Sequence, residues 1–297
     1  MTMSILKGIH RRALGLGKDS EVMARGGFIA GGEDKPVIVF PGPDTVAVFD
    51  DFIGTTLDAP GDTGDIHYRY GAFTIGFSDT GQVIPQQGPS APASHFTNGV
   101  FRLTSSATSV QTPVGGAQSL NTPAVWKANQ GQFAGVGGKP LRFGARLKIA
   151  TLAGNNVFAG FTDSGGTELP VYDTGAAAGI ITPAADYAGF LKGGGAGAPT
   201  ASLAWRLVAG KAGVDQVATT SITPTTNVYD TLEVEVSSDG GAVTGYINGK
   251  PVAKITSDAV TSTVALAGGV WRANTEAAAD AVDVDWINIS AARDTGL

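Results

Sequence analysis

The sequence predicts an all-β fold, an antiparallel β-sandwich preceded by an extended N-terminal arm, and three observations carry that prediction. Between Thr231 and Ile255, Leu232, Val234 and Val236 alternate with Glu233, Glu235 and Ser237, the period-2 pattern of a strand with one buried and one wet face. Two turns follow, Ser238-Asp239-Gly240-Gly241 and Asn248-Gly249, whose residues accept the positive φ of tight hairpins, so the segment reads as three strands in a meander. Second, roughly a dozen short runs of this kind recur with turn signals about every 8 to 15 residues, the spacing of a sandwich or jelly roll. Third, after the arm no stretch of about 12 residues carries a steady apolar stripe at helical spacing.

Residues 1–45 stand apart from the rest. Between Met1 and Arg25, five cations (Lys7, Arg11, Arg12, Lys18, Arg25) meet two acids (Asp19, Glu21), a charge of +3 in a chain whose net charge is −6. Ile5, Ile9, Ala13 and Leu16 fall at roughly helical spacing, consistent with a short amphipathic helix that Gly8, Gly15 and Gly17 weaken by about 1 kcal/mol each. Gly26-Gly27, Gly31-Gly32 and Pro36 interrupt it, and Pro41-Gly42-Pro43 reads as a linker. The functional reading is a docking arm whose partner contacts are Ile5, Lys7, Ile9, Arg11, Arg12, Leu16, Lys18, Arg25 and Phe28. The plainer reading is a frayed terminus.

Residues 46–297 form the folded domain. Ala47 to Gly54 is its first strand, and two short strands fit Tyr68, Tyr70, Phe73, Ile75 and Phe77. Pro85 to Ser94 is a loop, since three prolines preclude ladder bonding. Val100 to Leu103 is a strand, whereas Thr104 to Thr122, rich in Ser, Thr and Gly, is expected to be an exposed excursion. Leu141 to Thr151 places Leu141, Phe143, Ala145, Leu147 and Ile149 on one face and Arg142, Arg146 and Lys148 on the other. Val157 to Thr162 is apolar on both faces, as a central strand requires. Tyr187 to Lys192, Ala204 to Ala209, Ser262 to Arg272 and Ala281 to Ala291 complete the set, the last with a phase change that marks a β-bulge.

Composition bounds the function. Charged residues make up 15% of the chain, well below the usual quarter, so the surface draws its polarity from Ser, Thr, Asn and Gln. The 43 glycines follow no three-residue period. The net acidity argues against nonspecific nucleic-acid binding, and the absence of Cys rules out thiolate nucleophiles and thiolate metal sites. No apolar run reaches the length of a membrane span, and the N-terminus lacks the apolar stretch of a signal peptide, so synthesis in the cytoplasm is expected.

Several stretches in this order resemble the concanavalin A-like (lectin/glucanase, laminin-G-like) jelly roll: the FDDF strand, LRFGARLKIA followed by NNVFAGFTDSGG, DTLEVEVSSDGGAVTGYINGKPVAKI, and AVDVDWINISAAR. The resemblance covers about residues 46 to 294 and implies two curved antiparallel sheets packed face to face. GFTDS, YINGKPVA and VDWINIS further resemble structural proteins of tailed bacteriophages. That implies a non-enzymatic capsid decoration or cement protein on the virion surface, made in the host cytoplasm and anchored by its arm to the major capsid protein or another virion protein. The alternative is a glycan-binding module of a head fibre or tail appendage that takes a cell-surface glycan. Oligomerisation is left open, no coiled-coil heptad supporting it.

No cofactor, metal or catalytic residue is expected, each candidate having a plainer reading beside it. Glycoside hydrolases of the resembled fold set two glutamates around an aspartate on one strand. Here Val234 lies between Glu233 and Glu235, and the pair reads as a solvated or groove-lining face. Asp280, Asp283 and Asp285 read as a polar strand face in place of a cation site. His10, His67 and His95 lie far apart, and Gly193-Gly194-Gly195 lacks the Lys-Ser/Thr of a phosphate loop. Trp126, Trp205, Trp271 and Trp286 are assigned to the core rather than to sugar stacking.

Overall fold

A computed structural model describes residues 45–50, 66–70, 73–77, 100–104, 118–130, 139–164, 169–173, 180–194, 203–274 and 281–292. The arm, with Ile5, Lys7, Ile9, Arg11, Arg12, Leu16, Lys18, Arg25 and Phe28, lies outside these residues, as do His10, His95, Asp280 and the loop 85–94.

The described residues hold seventeen strands and no α-helix: β1 (Thr45–Asp50), β2 (Ile66–Tyr70), β3 (Phe73–Phe77), β4 (Phe101–Thr104), β5 (Gln118–Asn121), β6 (Leu141–Ile149), β7 (Asn155–Thr162), β8 (Tyr172–Asp173), β9 (Ile180–Ile181), β10 (Tyr187–Lys192), β11 (Arg206–Lys211), β12 (Val214–Thr219), β13 (Tyr229–Val236), β14 (Val243–Ile247), β15 (Lys250–Ile255), β16 (Ala267–Asn274) and β17 (Ala281–Ala292). All pair antiparallel. One sheet runs β1-β17-β6-β13-β14-β15, with β4 also on β17, and the other runs β12-β11-β10-β7-β16-β5-β3-β2. β8 and β9 form a separate ribbon. This is the antiparallel sandwich the alternation predicts.

The two sheets close on a core of Leu141, Phe143, Leu147, Leu232, Val234, Val284 and Ile289 from the first and Leu120, Phe161, Phe190, Leu207 and Val270 from the second. Glycines let the layers approach: a Cβ on Gly245 would stand 2.7 Å from the Phe190 ring, and one on Gly268 2.5 Å from Ile289 Cδ1. The outer face of the second sheet carries its own apolar cluster, in which Phe158, Tyr187, Leu191 and Trp271 pack beneath Leu169 and Val171. That cover explains why β7 is buried at every position and needs no polar face.

Four strands escape the sequence pattern: β5, β12 and the short β8 and β9. β5 falls inside the Ser/Thr/Gly stretch expected to be exposed, yet Ser119, Leu120 and Asn121 are buried because β5 is wedged between β16 and β3. β12 exposes Val214 and Val217 because it is an edge strand, paired only with β11. The phase change in the last strand is real: the β17–β6 register shifts between Val284 and Trp286.

The Asn248-Gly249 turn between β14 and β15 has φ of 51° and 73°, as a tight hairpin requires. Asn248 Oδ1 accepts the Thr231 N–H at 2.8 Å, and its Nδ2 donates to Asp230 Oδ1 at 3.1 Å. Trp205 Nε1 donates to the other Asp230 oxygen at 3.2 Å. Asn248→Asp keeps the backbone preference but sets a second carboxylate against the buried Asp230. It is expected to lower stability by about 1 to 3 kcal/mol at pH 7, less in acid where one carboxyl takes a proton. Urea titration at two pH values tests this, and wild-type stability at pH 7 would refute it.

Candidate functional site

β6 is the centre of the first sheet, flanked by β13 and β17, and its core residues alternate with Arg142, Gly144, Arg146 and Lys148 on the outer face. The register sets four cross-strand rows on that face. One runs Arg102, Asp283, Lys148, Tyr229, and the next Trp286, Arg146, Thr231. A third runs Phe49, Asn288, Gly144, Glu233, Tyr246, and the fourth Ser290, Arg142, Glu235, Thr244, Lys254. Side chains in one row stand about 5 Å apart and successive rows about 6.7 Å apart.

The three β6 cations each meet a carboxylate from a neighbouring strand. Arg142 pairs with Glu235 at 2.7 Å, Arg146 with Asp285 at 2.7 Å, and Lys148 with Asp283 at 3.1 Å. Arg102 on β4 also binds Asp283, through both oxygens. Burial works against the Asp283 carboxylate, but Arg102 and then Lys148 outweigh it and hold its pKa below the usual carboxylate range. Asp283 and Asp285, expected on a polar strand face, lie there as the acid half of an ion-pair network. Arg146 and Lys148 also sit 4.7 Å and 5.1 Å from the centre of the Tyr229 ring.

Row three differs in kind. Glu233 is only 9% exposed, and its Oε1 has no hydrogen-bond partner among the described residues. Asn288 Oδ1, on the far side of Gly144, is likewise buried without a partner. Burial pushes the Glu233 carboxyl up to about 7, opposed only by the charge of Arg142. Of the two readings of the glutamate pair, a solvated or a groove-lining face, Glu233 fits the second: it is buried in a cleft wall. With Arg142, Glu235, Tyr246, Phe143, Val234 and Gly249 it lines an open cavity of about 200 Å³. Two carboxyl groups, one pushed up to about 7 by burial and one paired with a guanidinium, so share one cleft wall.

The tryptophans divide. Trp126, Trp205 and Trp271 are buried as expected. Trp286 is half-buried on the outer face beyond the bulge, tilted against Phe49 with ring centres 6.4 Å apart. Trp286, weighed for sugar stacking and assigned to the core, is corrected to the outer face, while Asn288 and Gly144 were not singled out as site residues. The signal for them was the phase change in the last strand, which transfers Trp286 to the polar face.

No protein-family model and no curated protein matches the chain. Solved structures similar to it include a protein of unknown function from Shewanella oneidensis MR-1, at 13% identity and TM-score 0.45 over 94% of this chain and 95% of that one. A Bacillus licheniformis β-glucanase shares 12% identity at TM-score 0.44, covering 82% of this chain and 97% of its own. LamAcat from Zobellia galactanivorans shares 12% at TM-score 0.46, covering 83% and 97%. The antiparallel two-sheet sandwich stands on the strand pairing itself, and at these identities and TM-scores the likeness carries no conclusion about activity.

The expectation of a non-enzymatic capsid decoration protein, with its alternative of a phage glycan-binding appendage, is corrected at this point. Solved structures similar to the chain include a β-glucanase, a lichenase and a glycosidic hydrolase, and nothing in them links the chain to a bacteriophage. The expectation that the chain is no enzyme falls with it. It rested on the absence of a usable carboxylate pair, and Glu233 and Glu235 stand in one cleft wall in two different environments.

Proposed function

We propose that the chain is a glycoside hydrolase acting on a polysaccharide, with Glu233 as proton donor. The observation that carries this reading is the contrast between the two glutamates: Glu233 buried, with its carboxyl pushed up to about 7, and Glu235 paired with Arg142 one row away. Carboxyl groups whose surroundings separate their protonation in this way divide the acid and carboxylate roles of glycosidic cleavage. Glu233 gives its proton to the bridging oxygen as that oxygen leaves the anomeric carbon. The Glu235 carboxylate faces the positive charge developing on that carbon. Water then adds its hydroxyl there, and its remaining proton restores Glu233. Tyr246 beside Glu233, and the Trp286–Phe49 pair beyond Asn288, offer aromatic surface at the two ends of the row.

The test is release of new reducing ends from a panel of β-glucans, xylans, mannans, galactans and polyuronides. Cleavage of at least one polymer is expected, with activity lost as pH rises through about 7, where Glu233 gives up its proton. No cleavage across the panel, or a rate that climbs steadily above pH 8, would overturn the assignment.

A further inference from the structure

We infer that the glycan taken by this face is anionic, its sugars carrying carboxylate or sulfate groups. The inference rests on the glycosidase reading for the identity of the site but on separate observations for the charge of its ligand. Strand β6 is a cationic spine: Arg142, Arg146 and Lys148 point outward from the middle of the sheet, Arg102 extends them on β4, and Lys254 lies on the far side in the row of Glu235. Among the described residues of these rows, the opposing carboxylates are Glu233, Glu235, Asp283 and Asp285. Five cations meet four carboxylates, of which Glu233 is buried, on one face of a chain whose net charge is −6.

The cations also keep capacity for a ligand. The side chains of Arg102, Arg142, Arg146 and Lys148 remain 44%, 31%, 32% and 26% exposed despite their ion pairs, and Lys254 is exposed. Asp283 is 4% exposed and serves both Arg102 and Lys148, so that corner carries a surplus positive charge directed outward. A guanidinium has five donors in a planar fork, and one carboxylate contact leaves others for a second planar or tetrahedral anion.

Gly144 completes the arrangement. It is the one position on the outward face of β6, between Arg142 and Arg146, that bears no side chain, and Glu233 Oε1 and Asn288 Oδ1 flank it as buried oxygens without partners among the described residues. The gap therefore brings guanidinium donors along the strand together with oxygen acceptors across it. A neutral glycan would satisfy the acceptors through its hydroxyls and leave the cations unused. A simple inorganic anion would do the reverse. A sugar with both hydroxyls and a fixed negative charge meets both sets.

The test separates binding from cleavage. Full-length chain carrying Glu233→Gln is titrated calorimetrically with a polyuronide, the same polymer after chemical reduction of its carboxyls, a sulfated galactan, and its desulfated form. At least one charged polymer is expected to bind about tenfold more tightly than its neutral counterpart, with the advantage shrinking in high salt. Arg146→Gln in the same background, checked for an unchanged melting temperature, is expected to lose most of that preference. Preference for the polyuronide or for the sulfated galactan identifies which group is read. Equal affinity for charged and neutral forms, or no binding to any, overturns the inference. Wild-type cleavage of neutral glycans alone would leave the hydrolase standing without it. Charge-selective binding with no bond cleavage would leave the anionic site standing without the hydrolase.

Discussion

Glu233→Gln is expected to slow polysaccharide cleavage by about 10²- to 10⁴-fold, and at the same time to make the folded chain more stable above neutral pH. Both effects have one origin. The carboxyl ionises near 4.5 when the chain is unfolded but is pushed up to about 7 when folded, because burial disfavours the charge more than Arg142 favours it. Between those values the native protein holds a proton that the unfolded chain has released. Stability contributed at this site is therefore intact below about pH 4.5 and falls as pH rises through 7, by about 3 kcal/mol over the window. Glutamine matches the shape and never ionises, so it escapes that loss. At pH 8 the variant is expected to melt about 5 to 10 °C above wild type, and at pH 4 the two should nearly coincide. Coincident melting across the whole pH range would sink the seclusion argument. Full activity in the variant would sink the catalytic role independently.

The fold was legible because each strand of the first sheet declares its two faces locally. Leu141 to Ile149 and Tyr229 to Val236 alternate cleanly, so the core residues and the outward Arg142, Arg146, Lys148, Glu233 and Glu235 could be sorted without knowing any neighbour. The site was not legible, because its character arises between strands far apart in the chain. β6 meets β13 and β17 across separations that no local pattern encodes, and only their register decides between a solvated and a groove-lining Glu233, setting it in a cleft wall with Arg142 and Tyr246. The same gap in information hid the partners of Asp283, which lies on the expected polar face but meets cations from β4 and β6. β5 was lost for a related reason: Ser119 and Asn121 are polar in composition and buried only by their position between two other strands.

Gly160→Ala is expected to cost about 4 kcal/mol, a large loss for one added methyl group, and to lower the melting temperature by about 10 °C. Gly189, Gly160 and Gly269 lie in one row across β10, β7 and β16, in the middle of the second sheet. A Cβ on Gly160 would stand 2.3 Å from the Ala188 carbonyl oxygen and 2.5 Å from Gly189 Cα. These are backbone atoms of the neighbouring strand, so no rotamer change relieves the clash, and β7 must part from β10. Separation there disturbs both faces at once, since Ala159, Phe161 and Phe190 pack in the main core while Phe158, Tyr187 and Leu191 pack in the outer cluster. Gly213→Ala is the matched control. Nothing lies within 4 Å of a Cβ at that position, but its φ of 81° is one that a side chain adopts at a cost of about 1 to 2 kcal/mol. Thermal unfolding should therefore rank Gly160→Ala well below Gly213→Ala, and both below wild type. A Gly160→Ala protein melting within about 2 °C of wild type would mean that the central strands can separate without loss, and the close-approach account of the glycine row would be wrong.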